Sequence, residues 1–325
     1  MKIRKSVLSA LVVGTLFASA SAYPATTFIA GDVHPADYPT TAAIINMGKK
    51  LEAATQGRLT IKMFPNGQLG DENAELEKTR AGAIDIVRVS MSPVGGILPE
   101  VGVFNIPFTF RDPTHLQHVL DGPIGTELSG KITNSNLGVV HLGWMDAGSR
   151  SLITKKAIHN VAEFKGVKIR LQNNPIGLDA FKAMGANPVV LSVGDVFASL
   201  QTGVIDAAEN NEPTFDSENY VVAGTKFYDK TEHMMVPEMF AFSKIKWAKL
   251  SKEDQALILK LSKEAQADER KLCADYTTKS IKRLQSQGVQ FIEVDKKGFV
   301  GATTAVREKY GAQFGDLLKR IADTK

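Results

Sequence analysis

The polar residues best placed to do chemistry stand where predicted strands end. Arg170 falls near the end of Gly166-Val167-Lys168-Ile169-Arg170-Leu171-Gln172-Asn173-Asn174-Pro175, where Val167, Ile169 and Leu171 alternate with polar residues as on a strand with one apolar face. Asn210 follows the apolar run Val204-Ile205-Asp206-Ala207-Ala208, and His34 and Arg88 fall at the ends of two runs nearer the N-terminus. A guanidinium is a permanently charged fork of donors, matched to a carboxylate by two parallel bonds. An asparagine amide both donates and accepts, which suits a carboxylate oxygen or a sugar hydroxyl. The chemistry on offer is recognition of an organic anion. Each residue also has a plain structural role open to it: a solvated Arg170, a turn at His34-Pro35, an Arg88 paired with an acidic neighbour.

The elements that position these residues follow from periodicity. The spacing predicts a strand over 26–31, a helix from Tyr38-Pro39-Thr40 closed by Gly57, a strand over 58–64, a helix over 71–81 and a strand over 83–89. That alternation is the mark of a parallel α/β sheet, whose ligands enter outside the carboxyl ends of the strands. Glu75 and Glu77 stand on the second of those helices and reach such a crevice only from its first turns. A second unit repeats the pattern. Past Arg170, Asn174 caps a helix with Pro175 at its first position, Pro188-Val189-Val190-Leu191 is a strand, Ser192 to Asp195 opens another helix, and Gly203 ends it. Right-handed crossovers then place Arg170 and Asn210 at one edge of one sheet. Residues 91–107 read as an irregular connection, 138–144 as a strand, and 232–242 as a strand returning to the first half through a hinge at Pro237. Residues 251–287 read as one nearly unbroken helix.

Residues 1–22 carry Lys2, Arg4 and Lys5 ahead of an apolar run and Ala-x-Ala spacing, which predicts a secretory leader removed after about Ala20 or Ala22. No later stretch has the apolar length of a membrane span. The chain has a net charge of +4, three of whose basic residues lie in the leader, and shows no basic patch interleaved with aromatics. Nucleic acid is not an expected partner. Cys273 is the single cysteine and forms no internal disulfide. His115 and His118 are three apart without a third ligand at a recognisable spacing, so no metal is expected, and no nucleophile elbow, zinc-binding helix or phosphate loop is present.

The segments Phe64-Pro65-Asn66-Gly67-Gln68-Leu69-Gly70, Gly82-Ala83-Ile84-Asp85, Gly166-Val167-Lys168-Ile169-Arg170 and Ala198 to Asp206, followed by Glu209-Asn210, occur in that order. In them the chain resembles the DctP-type solute-binding proteins of TRAP transporters. The resemblance implies an α/β fold of two lobes, a periplasmic binding protein of the Venus-flytrap type with hinge-crossing strands and a long helix spanning both lobes. It implies a lobe I of 23–147 plus 236–275 and a lobe II of 148–235 plus 276–325, the latter holding the carboxylate clamp. Arg170 would grip the carboxylate, with Arg150 and Asn210 beside it. His34 to Thr40, Arg88-Val89, Glu209-Asn210-Asn211 and Thr231-Glu232-His233 are similar to the branch that binds sugar acids such as D-glucuronate and D-galacturonate. That likeness adds His34, Glu77, Arg88, Asn211 and His233 as ligand contacts. Where an aromatic is expected the chain has Glu212, and Phe215 keeps a ring without a hydroxyl.

The expectation is therefore a monomeric periplasmic protein without cofactor or metal, delivering a uronate to TRAP membrane subunits. A C4-dicarboxylate or another small organic acid is the alternative ligand. A secreted sugar-acid enzyme with His34 or His233 as general base, or an exported structural protein, are the rival classes.

Overall fold

The computed structural model describes residues 25–325, and the leader predicted at 1–22 lies outside them. The described residues hold the strands β1 (Thr26–Gly31), β2 (Leu59–Phe64), β3 (Ile86–Ser90), β4 (Val139–Met145), β5 (Arg150–Thr154), β6 (Lys168–Leu171), β7 (Asn187–Val190), β8 (Ala207–Asn210), β9 (Phe227–Met234), β10 (Glu238–Ser243) and β11 (Gln290–Ile292). They form two sheets, ordered β2-β1-β3-β10-β4 and β11-β9-β5-β8-β6-β7. In the first, β1 pairs in parallel with β2 and β3. In the second, β6 pairs in parallel with β7 and β8. The crossover helices are those expected: Pro39–Ala54 and Glu72–Arg80 in one lobe, Pro175–Ala183 and Val193–Thr202 in the other.

The chain passes between lobes at residues 146–149, joining β4 to β5, and at 235–237, joining β9 to β10. The run 232–242 is thus two strands and not one. It is apolar for most of its length, but Pro237 has no N–H for a ladder, and the halves pair in different sheets: β9 with β5, β10 with β3 and β4. Residues 91–107 are also more regular than expected. Ser90 caps a helix over Met91–Ile97 by accepting from Ser92 N, and a 3₁₀ segment follows over Pro99–Asn105. These two pack so closely that a Cβ on Gly95 would stand 2.9 Å from Gly102 Cα.

The helix Lys252–Ser286 is 35 residues long, about 52 Å at 1.5 Å per residue. Ser251 starts it by accepting from Asp254 N. Ile258, Leu261 and Ala265 join one core with Ile44, Met47 and Phe240 of the first lobe, while Leu284 joins Ile153, Val196 and Tyr228 of the second. Polar contacts follow the same division: Lys50 bonds Asp268 at 2.8 Å, and Ser280 bonds Asp216 at 2.9 Å. The tail divides where a single lobe II segment was expected, because the last helix, Leu317–Asp323, packs on Pro123–Asn134 beside β4. His115 takes part in that return. Its Nδ1 accepts from Arg111 N at 3.1 Å and its Nε2 lies 2.8 Å from Ile321 O, a structural role for one of the paired histidines.

Gly143 marks where the long helix lies against β4. A Cβ there would stand 2.7 Å from the buried Phe240 ring and 3.1 Å from Gln266 Oε1. Gly143→Ala should lower stability by about 1–3 kcal/mol, the usual cost of overpacking. A urea midpoint followed by far-UV circular dichroism that does not move would contradict this packing.

Candidate functional site

The carboxyl ends of β1, β3, β6 and β8 meet across the space between the lobes, around a small cavity. Its wall combines His34, Tyr38, Glu72, Arg88 and Glu238 of the first lobe with Arg150, Arg170, Gln172, Asn210, Asn211 and Thr214 of the second. A wider space reached past Asp71, Ser192 and Asp195 shares Glu72, Arg170 and Gln172 with the cavity and forms its mouth. The wider cleft at the 146–149 crossing is a different matter. There Arg270 is paired with Asp121 at 2.7 Å, and Arg111 donates to the backbone oxygens of Ala322 and Thr324. Arg270 there is answered by a carboxylate, and Arg111 is exposed to solvent.

Three arginines line the inner cavity, and they differ in what already answers their charge. Arg150, at the start of β5, is held by Glu209: Nε to Oε2 at 2.5 Å and Nη2 to Oε1 at 2.8 Å, with Nη1 on Asn210 Oδ1 at 3.0 Å. Burial by itself would raise the Glu209 carboxyl, but Arg150 and the neighbouring His233 hold it at about 2. Arg88, on β3, meets Asp32 at 3.1 Å and Glu238 at 2.9 Å and also pairs with Glu72. Arg170 makes no ion pair with any described residue. Its Nε donates to Leu191 O at 2.9 Å, which fixes the plane of the fork, and it is 3% exposed. Burial, with Arg150 nearby, pushes it below the ordinary arginine range. It remains a cation, desolvated and without a carboxylate.

The lobes touch through few polar contacts at the cavity rim. Tyr38 Oη lies 3.0 Å from Thr214 Oγ1, Gln172 Nε2 donates to Glu72 Oε2 at 3.2 Å, and Asn174 Nδ2 donates to Ser92 Oγ at 2.7 Å. The His34 ring stacks on Tyr38, with centroids 3.9 Å apart. Beneath β1 lies Glu75, wholly buried, with neither carboxyl oxygen hydrogen bonded. Burial, reinforced by Asp32, pushes it up to about 8. The carboxyl presses so closely on Gly31 that a Cβ there would be 2.9 Å from it.

The cavity brings together Arg170, Arg150, Asn210, Arg88, His34 and Asn211, but neither Glu77 nor His233. Glu77 is exposed and bonds Arg80 at 2.5 Å. The helix faces inward through Glu72, Glu75, Leu76 and Thr79, and Glu77 stands about 140° round the axis from Glu72. His233 is buried behind the wall, its Nε2 3.4 Å from Glu209 Oε2 and its Nδ1 2.8 Å from Thr231 Oγ1. It supports Glu209 and reaches no ligand space. Asn211 lines the cavity while its side chain caps the helix Glu212–Ser217, accepting from Thr214 N at 2.8 Å and donating to Ala147 O at 2.7 Å. Sequence reasoning missed Tyr38, Glu72, Gln172, Thr214 and Glu238. Gln172 was readable, since a strand's period of two puts it on the face of Arg170. Glu238 was not, because the break before β10 was hidden. Among the described residues no group of histidine, cysteine and acidic side chains could hold a metal ion.

Residues 30–315 match the DctP family model, described as bacterial extracellular solute-binding protein, family 7. The chain belongs to that family and is a solute-binding protein of the TRAP periplasmic class, not an enzyme. It is similar to a TRAP periplasmic solute binding protein from Pseudomonas putida F1 with bound D-glucuronate, at 47% identity and a TM-score of 0.90 over 92% of this chain and 98% of that one. A Citrobacter koseri protein with bound D-glucuronate gives 46% identity and 0.90 over 92% and 100%. Its apo, open structure gives 45% and 0.81 over 91% and 98%. A Bradyrhizobium protein in complex with D-galacturonate gives 42% identity and 0.88 over 92% and 100%. The chain superposes better on the bound than on the open Citrobacter form.

Two outcomes follow. Tyr38→Phe removes the Thr214 contact and the longer one from Asn211 Nδ2 at 3.4 Å, together worth about 0.5–1.5 kcal/mol. It should raise the open-to-closed ratio by about 2- to 12-fold, read as a larger radius of gyration in solution scattering; an unchanged scattering curve would speak against these contacts. Glu75 has a folded pKa raised above its unfolded value. Its contribution to stability is therefore complete below about pH 4.5 and is lost as pH rises toward about 8. The melting temperature of Glu75→Gln should gain on the parent's across that range, and a constant difference would show that Glu75 does not hold its proton.

Proposed function

We propose that this protein captures one hexuronate between its lobes, D-glucuronate or D-galacturonate, and hands it to the membrane subunits of a TRAP transporter. The observation that carries the reading is Arg170, a buried guanidinium that no carboxylate among the described residues answers. A ligand carboxylate supplies the missing anion through the fork left by the Leu191 bond. Arg150 and Asn210, locked to Glu209 and to each other, shape the same wall. His34, Tyr38, Arg88, Glu72 and Glu238 offer mixed donors and acceptors to ring hydroxyls from the other lobe. The uronates held by relatives at 42–47% identity support this choice of acid. The protein acts as a monomer in the periplasm after losing its leader near Ala20 or Ala22.

Calorimetric titration with D-glucuronate, D-galacturonate, D-gluconate and succinate tests the reading. At least one uronate should bind, and Arg170→Ala should weaken it by about 2–5 kcal/mol, or about 30- to 4,000-fold. Equal affinity in the Arg170→Ala variant would remove the carboxylate seat, and silence toward both uronates would remove the substrate class.

A further inference from the structure

The second pole of the cavity carries information that the carboxylate seat does not. Around Arg88 stand three carboxylates, those of Asp32, Glu72 and Glu238, so the pole as a whole is negative. Asp32 is fully engaged: Oδ2 accepts from Thr40 and Thr41, both at 2.8 Å, and Oδ1 accepts from His34 N at 3.0 Å as well as from Arg88. Glu72 holds Ser90 N at 3.2 Å and Gln172 besides Arg88. Two atoms remain. Arg88 Nη2 is buried without a hydrogen-bond partner. Glu238 uses only Oε2, on Arg88 Nη1 at 2.9 Å, which leaves Oε1 unengaged.

Arg88 and Glu238 both line the cavity, and an unused anionic acceptor on its wall has a definite complement. A hydroxyl donates to it. A carboxylate can only accept, so beside Glu238 it meets a like charge in a poorly screened site. Resting on the uronate reading, we propose that Glu238, with Glu72 and Asp32 around Arg88, is a charge filter: it admits acids whose far end is a hydroxyl and rejects those bearing a second carboxylate. Arg170 admits one anion, and the pole at Arg88 refuses another. The residues that determine this specificity are Glu238 and Glu72, because both line the cavity, whereas Asp32 lies behind it.

The experiment compares D-glucuronate with D-glucarate, the six-carbon acid carrying a carboxylate at each end, with D-gluconate as the open-chain control with one carboxylate. Titrations are run at pH 8, because burial and the neighbouring carboxylates push Glu238 up to about 7 and it must be ionised. The parent should prefer D-glucuronate to D-glucarate by about 100-fold or more, and Glu238→Gln should shrink that ratio by about tenfold. Glu72→Gln, at the better solvated rim, should shrink it in the same direction and serves should Glu238→Gln fail to fold. D-gluconate should bind the parent more tightly than D-glucarate does, which separates charge from ring shape. Comparable binding of D-glucarate and D-glucuronate by the parent, or a ratio that neither variant moves, overturns the filter and leaves the uronate reading standing. Binding of D-glucarate without any uronate would overturn both.

Discussion

A guanidinium taken out of water without a counter-ion is the constraint on which this structure turns. Arg170 is desolvated by the same β6 and β8 edge that fixes it, and an unpaired buried charge is among the costlier things a fold can hold. The chain tolerates it by using its own carboxylates elsewhere. Glu209 neutralises Arg150, so that two arginines can share one wall, and Leu191 O accepts a hydrogen bond from Arg170 Nε, which leaves the two Nη groups unused. A site with one unanswered cation is selective for one anion before any shape is considered.

Closing the lobes is a separate matter, because the contacts between them at the rim are few. Tyr38 with Thr214, Glu72 with Gln172 and Ser92 with Asn174 are hydrogen bonds of the kind that contribute about 1 kcal/mol each. Such contacts orient the closed form, and a ligand that touches both walls shifts the balance by its differential affinity. The long helix keeps the lobes in one molecule throughout. Glu269 on that helix accepts from Asp146 N at 2.9 Å, tying the first crossing to the same rod that carries both cores.

Much of this was readable along the chain. Alternation in 166–171 and the apolar run 204–208, with Asn174-Pro175 and Gly203 as punctuation, placed Arg170 and Asn210 at one sheet edge, because strand direction and crossover handedness follow from local sequence. The order of elements gave the two-lobed α/β class for the same reason. What alternation cannot reveal is which sheet a strand joins. Residues 232–242 stay largely apolar through Pro237, yet β9 and β10 lie in different lobes, and Glu238 came into the site unannounced. Helix phase decided between glutamates. Glu72 and Glu75 share the inward stripe with Leu76 and Thr79, and Glu77 faces water beside Arg80.

Residue types and local spacing by themselves determined most of the crossover helices and strands, and that an arginine stands near the end of one of them. These depend on contacts within a few residues, where Pro, Gly and apolar period leave little choice. Only the tertiary structure decided which arginine is free. Arg88, Arg150 and Arg170 are alike as strand residues, and their difference lies in carboxylates 16 to 150 positions away along the chain, at Glu72, Glu209 and Glu238. Charge compensation acts through space, and no local pattern records it.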